Sequence, residues 1–188
     1  MNRYILSVAV IAAALFSQSC TKEPANPVIP NQEELITTLI VDLIAHDNSD
    51  TAQFVFSDID GPGGNAPIVL SEPLKKNTFY LINLTLLNEQ VNLIYDLTPE
   101  IKAEGEEHQF FYENSIHPNA AITYMDGDIY GNPIGILVSL KTDVAQSGSL
   151  KITLRHMPNK FAPGVKSGDI TNAGGETDIE VTFDVDIL

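Results

Sequence analysis

The sequence has few of the residues that cross-link a small protein or that stack on sugars. Its 188 residues include one cysteine, Cys20, and no tryptophan. A lone cysteine cannot form an intramolecular disulfide, so an ordinary apolar core must stabilise the fold. The missing tryptophan removes the largest aromatic ring that could stack on a sugar, which disfavours a carbohydrate-binding platform.

Basic residues are also scarce. The chain has 10 lysines and arginines against 25 aspartates and glutamates, which gives a formal net charge of −15. A surface this acidic repels the phosphates of nucleic acids and of anionic lipids, so we exclude nucleic acid as a partner. The same field attracts cations, but diffuse charge alone does not make a binding site.

Recognisable catalytic motifs are absent from the sequence. It contains no Walker, Rossmann or nucleophile-elbow pattern and no solenoid repeat. Carboxylates are plentiful, but the spacing of the sequence singles out no pair of them for acid–base chemistry. We therefore predict a protein that is not an enzyme.

The first 19 residues have the three-part layout of a secretory signal peptide. Arg3 supplies a positive start, residues 5–16 form an uninterrupted apolar run, and small polar residues follow. As a helix, this run spans about 18 Å against roughly 30 Å of bilayer hydrocarbon, so it is too short for a permanent membrane span. Removing residues 1–19 changes the formal net charge to −16, because Arg3 is their only charged residue.

Cys20 closes this segment in a way that resembles the lipobox of bacterial lipoproteins. The small Ser19 fits the place before the cysteine, whereas Ser17 stands where a leucine-like residue is usual. The resemblance implies cleavage before Cys20 by signal peptidase II and a diacylglycerol on its thiol. The membrane is then a partner through this lipid, and the protein is attached to the outer membrane of the cell envelope, on its periplasmic or surface face. An ordinary secretory signal with an incidental cysteine is the alternative.

Residues 20–34 contain three prolines and no apolar periodicity. This composition favours an extended, partly polyproline tether rather than a folded element. At about 3.1 Å per residue, the proline-containing part could hold a domain some 30 Å from a membrane. We expect the folded domain to begin at residue 35.

Period-two alternation dominates residues 35–188. Its clearest example is Ile179 to Ile187, where apolar side chains alternate with threonine or acidic residues. Alternation buries one face of a strand and leaves the other exposed to solvent, which is typical of antiparallel sheets. Similar runs occupy residues 35–44, 52–57, 78–87, 108–113, 121–125, 134–141 and 150–156. We therefore predict an all-β domain, an immunoglobulin-like antiparallel β-sandwich of about eight strands, with one short helix at residues 98–105.

Two acidic turns resemble halves of a calcium-binding loop. Asp58 and Asp60 precede a glycine-rich turn, and Asp126 and Asp128 repeat the pattern between two other strands. Alternate carboxylates can present oxygen atoms to a hard cation while glycine permits a tight turn. Ordinary polar turns favour the same residue types for backbone reasons, so both interpretations stay open.

Two histidines mark the ends of predicted strands. His108 opens one strand directly after Glu107, and His156 closes another. If these strands are antiparallel neighbours, both histidines lie at the same end of the sheet. Imidazole and carboxylate ligands together suit zinc or a similar divalent ion, so Glu107, His108 and His156 form a candidate metal site. The alternative is a pair of partly buried histidines that are hydrogen-bonded at strand ends.

A resemblance to a known group of proteins is carried by three stretches: residues 104–112 (EGEEHQFFY), residues 155–160 (RH and PNK) and residues 174–178 (GGETD). Here the chain resembles small Bacteroidota lipoproteins, and the likeness extends from about Glu33 to the C-terminus. Some members are labelled as type 1 periplasmic binding folds, which are α/β, whereas the alternation of this chain predicts antiparallel strands. The resemblance supplies no catalytic residues, and it implies an outer-membrane TonB-dependent receptor as a candidate partner.

These observations lead to three expectations of function. The first is a lipid-anchored β-sandwich of the cell envelope that binds a ligand, an ion or a partner without catalysis. The second is an accessory lipoprotein for metal or nutrient uptake beside an outer-membrane receptor. The third is a structural or adhesive surface domain. A divalent cation is the cofactor that the sequence suggests.

Overall fold

The computed structural model describes residues 34–61, 63–90, 93–116 and 120–188. All of them belong to one unit of the chain, Glu33–Leu188. The predicted signal peptide, the lipidation site Cys20 and the tether up to residue 33 lie outside the described residues. Within the described ranges, no helix is long and apolar enough to cross a membrane.

Strands dominate the described part of the chain. The ten strands are β1 Thr38–Ala45, β2 Thr51–Ser57, β3 Ile68–Ser71, β4 Phe79–Asn88, β5 Tyr95–Asp96, β6 His108–Asn114, β7 Ala120–Tyr124, β8 Leu137–Thr142, β9 Gln146–His156 and β10 Glu176–Ile187. A larger sheet has the order β3-β2-β1-β4-β8-β7, with β5 paired to β4, and a smaller sheet has the order β10-β9-β6. All these strand pairs are antiparallel, which confirms the predicted all-β antiparallel sandwich.

The two sheets enclose one continuous apolar core. The rings of Phe54 on β2 and Phe183 on β10 meet across it, with centroids 5.4 Å apart. The alternation predicted for the last strand is confirmed. Its apolar residues from Ile179 to Ile187 are buried, and the polar residues between them are exposed. Burial of one apolar face from each sheet therefore holds the sandwich together.

Two strands were not predicted from the sequence. They are β3, with four residues, and β5, with two, and every residue in both is exposed. A strand with both faces exposed carries no alternation between apolar and polar residues, so the period-two signal is missing. The predicted count of about eight strands is therefore lower than the ten observed in the described ranges.

One short helix, α1 Thr98–Ala103, lies between β5 and β6. Pro99 stands in its first turn, and Ile101 is buried against the core. Thr98 does not cap the helix. Its hydroxyl accepts a hydrogen bond from the backbone amide of Leu86 at 2.9 Å, which joins the start of the helix to β4. The helix is thus attached to β4 and to the core just before the chain begins β6.

The outer face of the smaller sheet is covered by the segment 161–175. Phe111 on β6 packs there against Val165 and Ala173 in a second, smaller apolar cluster. The Gln109 side chain donates a hydrogen bond to the carbonyl oxygen of Val165 at 2.8 Å. Because alternate residues point to opposite faces, this arrangement turns His108 toward the inner side of the smaller sheet.

Candidate metal centre

His108 and His156 face each other at one end of the smaller sheet. The antiparallel register of β6 and β9 pairs them directly. Their rings are stacked, with centroids 4.8 Å apart and an angle of 17° between the ring planes. Both side chains are buried. The structure therefore brings together the two histidines of the predicted metal site.

Asp178 joins the two histidines through an irregularity in β10. Thr177 pairs with Arg155 and Ile179 pairs with Leu154, so Asp178 is an additional residue that forms a β-bulge. A bulge changes the direction in which a side chain points. The Asp178 carboxylate is completely buried, and its two oxygen atoms lie 3.9 Å from His108 Nε2 and from His156 Nδ1.

A glycine allows β10 to begin close to β9. Gly175 has a φ of +69°, and a Cβ atom there would lie 2.1 Å from the carbonyl oxygen of His156. Any other residue would clash with this backbone oxygen, and its side chain would also be strained at this φ. Gly175 therefore permits the close approach that precedes the bulge at Asp178.

Glu34 completes the cluster from the side of the larger sheet. It lies four residues before β1, and its side chain is only 7% exposed. One of its carboxylate oxygens, Oε1, lies 3.3 Å from His108 Nε2. One ligand atom from each of Glu34, His108, His156 and Asp178 lies within 4.8 Å of the others. These four residues are called the His–carboxylate cluster below.

The hydrogen bond on the far side of the His108 ring determines the state of its other nitrogen. His108 Nδ1 lies 3.2 Å from the carbonyl oxygen of Glu104, and a carbonyl can only accept, so Nδ1 must donate. In the neutral ring, Nε2 then carries a lone pair and faces two carboxylates. Neither His108 Nε2 nor Glu34 Oε2 has a hydrogen-bond partner among the described residues. A proton, a metal ion or a water molecule between these groups would satisfy them.

Charge balance favours a cation at this position. Two buried carboxylates without compensation are strongly unfavourable in a protein interior. Two neutral imidazoles and one divalent cation would make the His–carboxylate cluster neutral overall, and two protonated histidines would do so as well. Metal binding and a cluster of ion pairs are thus the two chemical states that suit this arrangement.

The distances match those of a four-coordinate ion with small adjustments. A tetrahedral zinc ion with ligands at about 2.0–2.2 Å holds its ligand atoms about 3.3–3.6 Å apart. The cluster has separations of 3.3 Å between Glu34 and His108 and of 3.9 Å between Asp178 and each histidine. The four ligand atoms as a set lie within 4.8 Å of one another, so side-chain rotations that shorten the longest separations by about 1 Å would bring all four groups around one ion.

Glu107 is not one of the four clustered residues, although the sequence predicted it as a ligand. Its Oε2 lies 4.0 Å from His156 Nε2, and its side chain is 43% exposed. The other nitrogen of that ring, Nδ1, faces Asp178. Glu107 therefore lies on the outer side of His156, where a carboxylate can orient a ligating histidine and increase its basicity.

The first predicted calcium-like loop uses its carboxylates within the turn. Asp58 Oδ1 accepts a hydrogen bond from the amide of Gly61 at 2.9 Å. Asp60 Oδ2 accepts hydrogen bonds from the backbone and side-chain nitrogens of Asn65 at 2.9 and 2.6 Å, and these bonds lower the pKa of Asp60. This is the polar-turn interpretation that the sequence left open.

The second calcium-like loop is also a turn. Asp126 accepts hydrogen bonds from the amides of Gly135 and Leu137, at 2.7 and 2.9 Å. Asp128 accepts two backbone hydrogen bonds and lies 3.3 Å from Nζ of the buried Lys160, a side chain that sequence reasoning did not single out. In the described ranges, the His–carboxylate cluster is the only group of three or more histidine, cysteine, aspartate or glutamate residues that lie close enough to share an ion.

A surface cavity of about 390 Å³ lies beside the His–carboxylate cluster. Glu34 and Asp178 line it together with Ile36, Phe56 and Asp58. Two residues of the cluster, Glu34 and Asp178, therefore form part of the cavity wall, whereas the two histidines do not line it.

Comparison with known proteins identifies no family for this chain. No protein-family model, no curated protein and no solved structure matches the chain.

Proposed function

We propose that this protein is a lipid-anchored component of the bacterial cell envelope that binds one divalent transition-metal ion, zinc being the best fit, without catalysing a reaction. The observation that carries the proposal is the His–carboxylate cluster, in which the bare Nε2 of His108 faces the buried carboxylates of Glu34 and Asp178. A divalent cation would satisfy all of these groups together.

The mixture of ligand types favours zinc over calcium or magnesium. Calcium and magnesium are bound almost entirely by oxygen atoms, whereas zinc accepts imidazole nitrogen and carboxylate oxygen in the same site. His108 and His156 supply two nitrogens, and Glu34 and Asp178 supply two oxygens. The acidic surface of the chain increases the local concentration of any divalent cation without selecting one.

The number of ligands favours binding over catalysis. Structural zinc sites are closed by four protein ligands, whereas catalytic sites have three and keep one position for water or substrate. The cluster offers four ligands, and all four side chains are largely buried. With no Cys other than Cys20, a metal ion could provide the cross-link that a disulfide provides in many secreted domains.

The envelope location in this proposal comes from the first 20 residues. They combine a positive start, a short apolar run, small residues and Cys20, in the order of a lipoprotein signal. The tether that follows would leave the folded domain free to sit away from the membrane surface.

Titration calorimetry with zinc chloride tests the proposal on the purified mature protein after treatment with a chelator. We expect one zinc ion per chain. We also expect an affinity loss of about tenfold or more in both His108→Ala, which removes a ligand, and Asp178→Asn, which replaces a charged carboxylate ligand with a neutral amide, because even the loss of an outer-shell partner typically costs about 10–100-fold. His46→Ala changes an exposed loop histidine and serves as the matched control, with unchanged affinity.

Two outcomes would refute metal binding by the cluster. One is a folded wild-type protein that takes up no zinc, which would leave ion pairs between protonated histidines and the two carboxylates as the state of the cluster. The other is zinc binding that is equally strong in the wild type, His108→Ala and Asp178→Asn. Circular dichroism spectra of the variants would show whether they keep the β-sheet fold.

An accessory role in metal uptake beside an outer-membrane receptor is the second candidate. The cavity next to Glu34 and Asp178 favours it, because an ion could leave by this route. Such a role needs rapid release of the ion, whereas a structural role needs retention. Transfer of zinc to a colorimetric chelator, followed over time, and co-purification with a receptor from envelope extract would separate the two.

A further inference from the structure

We infer that the metal ion acts as a latch, which fastens the chain leading into the domain onto the smaller sheet. The inference rests on the proposed metal binding and concerns what the ion controls. The segment in question is residues 34–36, called the leading segment below. When the ion is bound, Glu34 is held, and when the ion is lost, the leading segment is released.

The ligands come from two different parts of the fold. His108, His156 and Asp178 belong to β6, β9 and β10 of the smaller sheet, whereas Glu34 precedes β1 of the larger sheet. An ion bound by all four residues therefore joins the two sheets at one end of the sandwich. Glu34 is the single ligand that does not lie in the smaller sheet, so it is the one that a loss of the ion can free.

Few other contacts hold the leading segment in place. Thr37 is firmly attached, because its amide donates to the carbonyl of Leu87 at 2.9 Å and its carbonyl accepts from the amide of Asp58 at 2.8 Å. Among the described residues, no backbone hydrogen bond holds residues 34–36. Ile36 packs partly against the core, while Leu35 is 50% exposed.

Without a cation, the position of Glu34 is unfavourable. Its carboxylate is buried, faces the lone pair of His108 Nε2 and shares the site with the carboxylate of Asp178. Rotation into water would restore the hydration of Glu34 and separate the two negative charges. Among the described residues, when both histidines are neutral, the packing of Ile36 is the contact of the leading segment that opposes this movement, so we expect the segment to be mobile in the metal-free protein with neutral histidines.

Release of the leading segment would open the site. It would remove one wall of the cavity and expose His108 and Asp178 to solvent.

A single tryptophan can report this change, because the natural chain has none. Leu35→Trp places the reporter on the leading segment at a half-exposed position. Val144→Trp is the matched control, since Val144 is 51% exposed and lies beyond the end of β9 that is opposite to His156. Along that strand the two ends are about 33 Å apart. Both variants are made in the full mature protein in detergent, and zinc chloride is the probe.

We expect zinc to lower the acrylamide quenching constant of Leu35→Trp by about twofold, because the ordered segment is less accessible. Val144→Trp should show no change, and adding Asp178→Asn to Leu35→Trp should abolish the effect of zinc. Calorimetry on the same samples reports binding separately. Zinc binding with unchanged quenching of Leu35→Trp would overturn the latch and leave the proposed function intact. An equal change in both tryptophan variants would also overturn it, and the absence of zinc binding would overturn both proposals.

Discussion

His156 faces His108 across the antiparallel pair β9–β6, and the stacked rings lie 4.8 Å apart between two buried carboxylates. Side chains at facing positions of an antiparallel pair are the closest neighbours that a sheet can provide. Two imidazoles at such positions repel each other when both are charged. The carboxylates of Glu34 and Asp178 therefore make this pairing compatible with burial, and a divalent ion would do so with both rings neutral.

Zinc should raise the free energy of unfolding of the domain, and the rise should grow with the ratio of zinc concentration to dissociation constant. A ligand present at about 100 times its dissociation constant adds about 2.7 kcal/mol to the free energy of unfolding. For a domain of this size, that corresponds to a rise of roughly 5–10 °C in melting temperature. Asp178→Asn should lose the zinc-dependent rise, whereas Asp184→Asn, an exposed change in the same strand, should keep it. Melting curves with zinc and with a chelator measure both, and identical shifts in the two variants would contradict the assignment.

Phe183 should contribute more to stability than its neighbour on the other face of β10. Its ring is fully buried and meets Phe54 at 5.4 Å. Phe183→Ala should lower the free energy of unfolding by about 3–5 kcal/mol, because it removes a large apolar side chain and leaves a cavity. Thr182→Ala, on the exposed face, should change it by less than about 0.5 kcal/mol. Urea unfolding measures both, and comparable losses would argue against the observed orientation of β10.

The sequence could predict the histidines but not the carboxylates of the cluster. Alternation assigned His108 and His156 to strand ends, and antiparallel pairing brings such ends together. Asp178 has the parity of the exposed residues Glu180 and Thr182, and only the bulge turns it inward. A bulge leaves no periodic signal in the sequence. Glu34 lies at the end of a proline-containing stretch, and only the packing of one sheet on the other brings it to His108.

The fold was more predictable than the site for a related reason. Alternation is a property of each strand by itself, so it can be read locally, as in Ile179 to Ile187. The roles of Asp58, Asp60, Asp126 and Asp128 depend on whether a backbone amide or a cation is nearest to each carboxylate. That choice depends on turn geometry, which residue types alone leave open.

Removal of the positive charge at Lys160 should destabilise the protein through Asp128. Lys160 Nζ donates to the carbonyl oxygens of Pro133, at 2.9 Å, and of Gly105, and both members of its pair with Asp128 are buried. Lys160→Met should cost about 3–5 kcal/mol of unfolding free energy, because it leaves a buried carboxylate without its cation. Lys166→Met, at an exposed position nearby, is the control and should have little effect.

The double variant Lys160→Met, Asp128→Asn separates the ion pair from simple packing. It removes both charges, so it should be more stable than Lys160→Met alone. Urea unfolding of the four proteins gives the coupling between the two residues. The loss of unfolding free energy in the double variant could equal the sum of the losses in the two single variants. In that case the pair contributes no coupling energy, and this account of Asp128 is wrong.

Cys20→Ser should release the protein from the membrane fraction and prevent processing by signal peptidase II. The reason is that Cys20 is the only thiol and closes a charged, apolar and small-residue segment. Ser19→Ala keeps a small residue before the cysteine and should be processed normally. Fractionation and mass spectrometry of the mature N-terminus measure both. A Cys20→Ser protein that stays with the membrane, together with a wild-type N-terminus that carries no lipid, would support the ordinary secretory signal instead.

The partly buried Tyr124 should make the fold sensitive to alkali. Its hydroxyl donates to the carbonyl oxygen of Phe110 at 2.7 Å, and burial, with a contribution from the Asp126 carboxylate, raises its pKa to about 12. An unfolded tyrosine has a pKa of about 10. Because the folded pKa is higher, the stabilisation is complete below about pH 10 and is lost as the pH rises toward about 12. The shift corresponds to about 2–3 kcal/mol.

Tyr124→Phe removes this titration and should therefore make the decline in unfolding free energy between about pH 10 and pH 12 less steep, while Tyr80 and Tyr112, whose pKa values burial also raises, keep their contributions. At neutral pH, the variant should be less stable by about 1 kcal/mol, because the carbonyl of Phe110 loses its hydrogen-bond donor. Tyr130→Phe changes an exposed tyrosine and should follow the wild-type curve. Urea unfolding at a series of pH values gives these slopes. Equal slopes in Tyr124→Phe and the wild type would show that ionisation of Tyr124 is not linked to unfolding, and the alkaline sensitivity would then have to come from other groups.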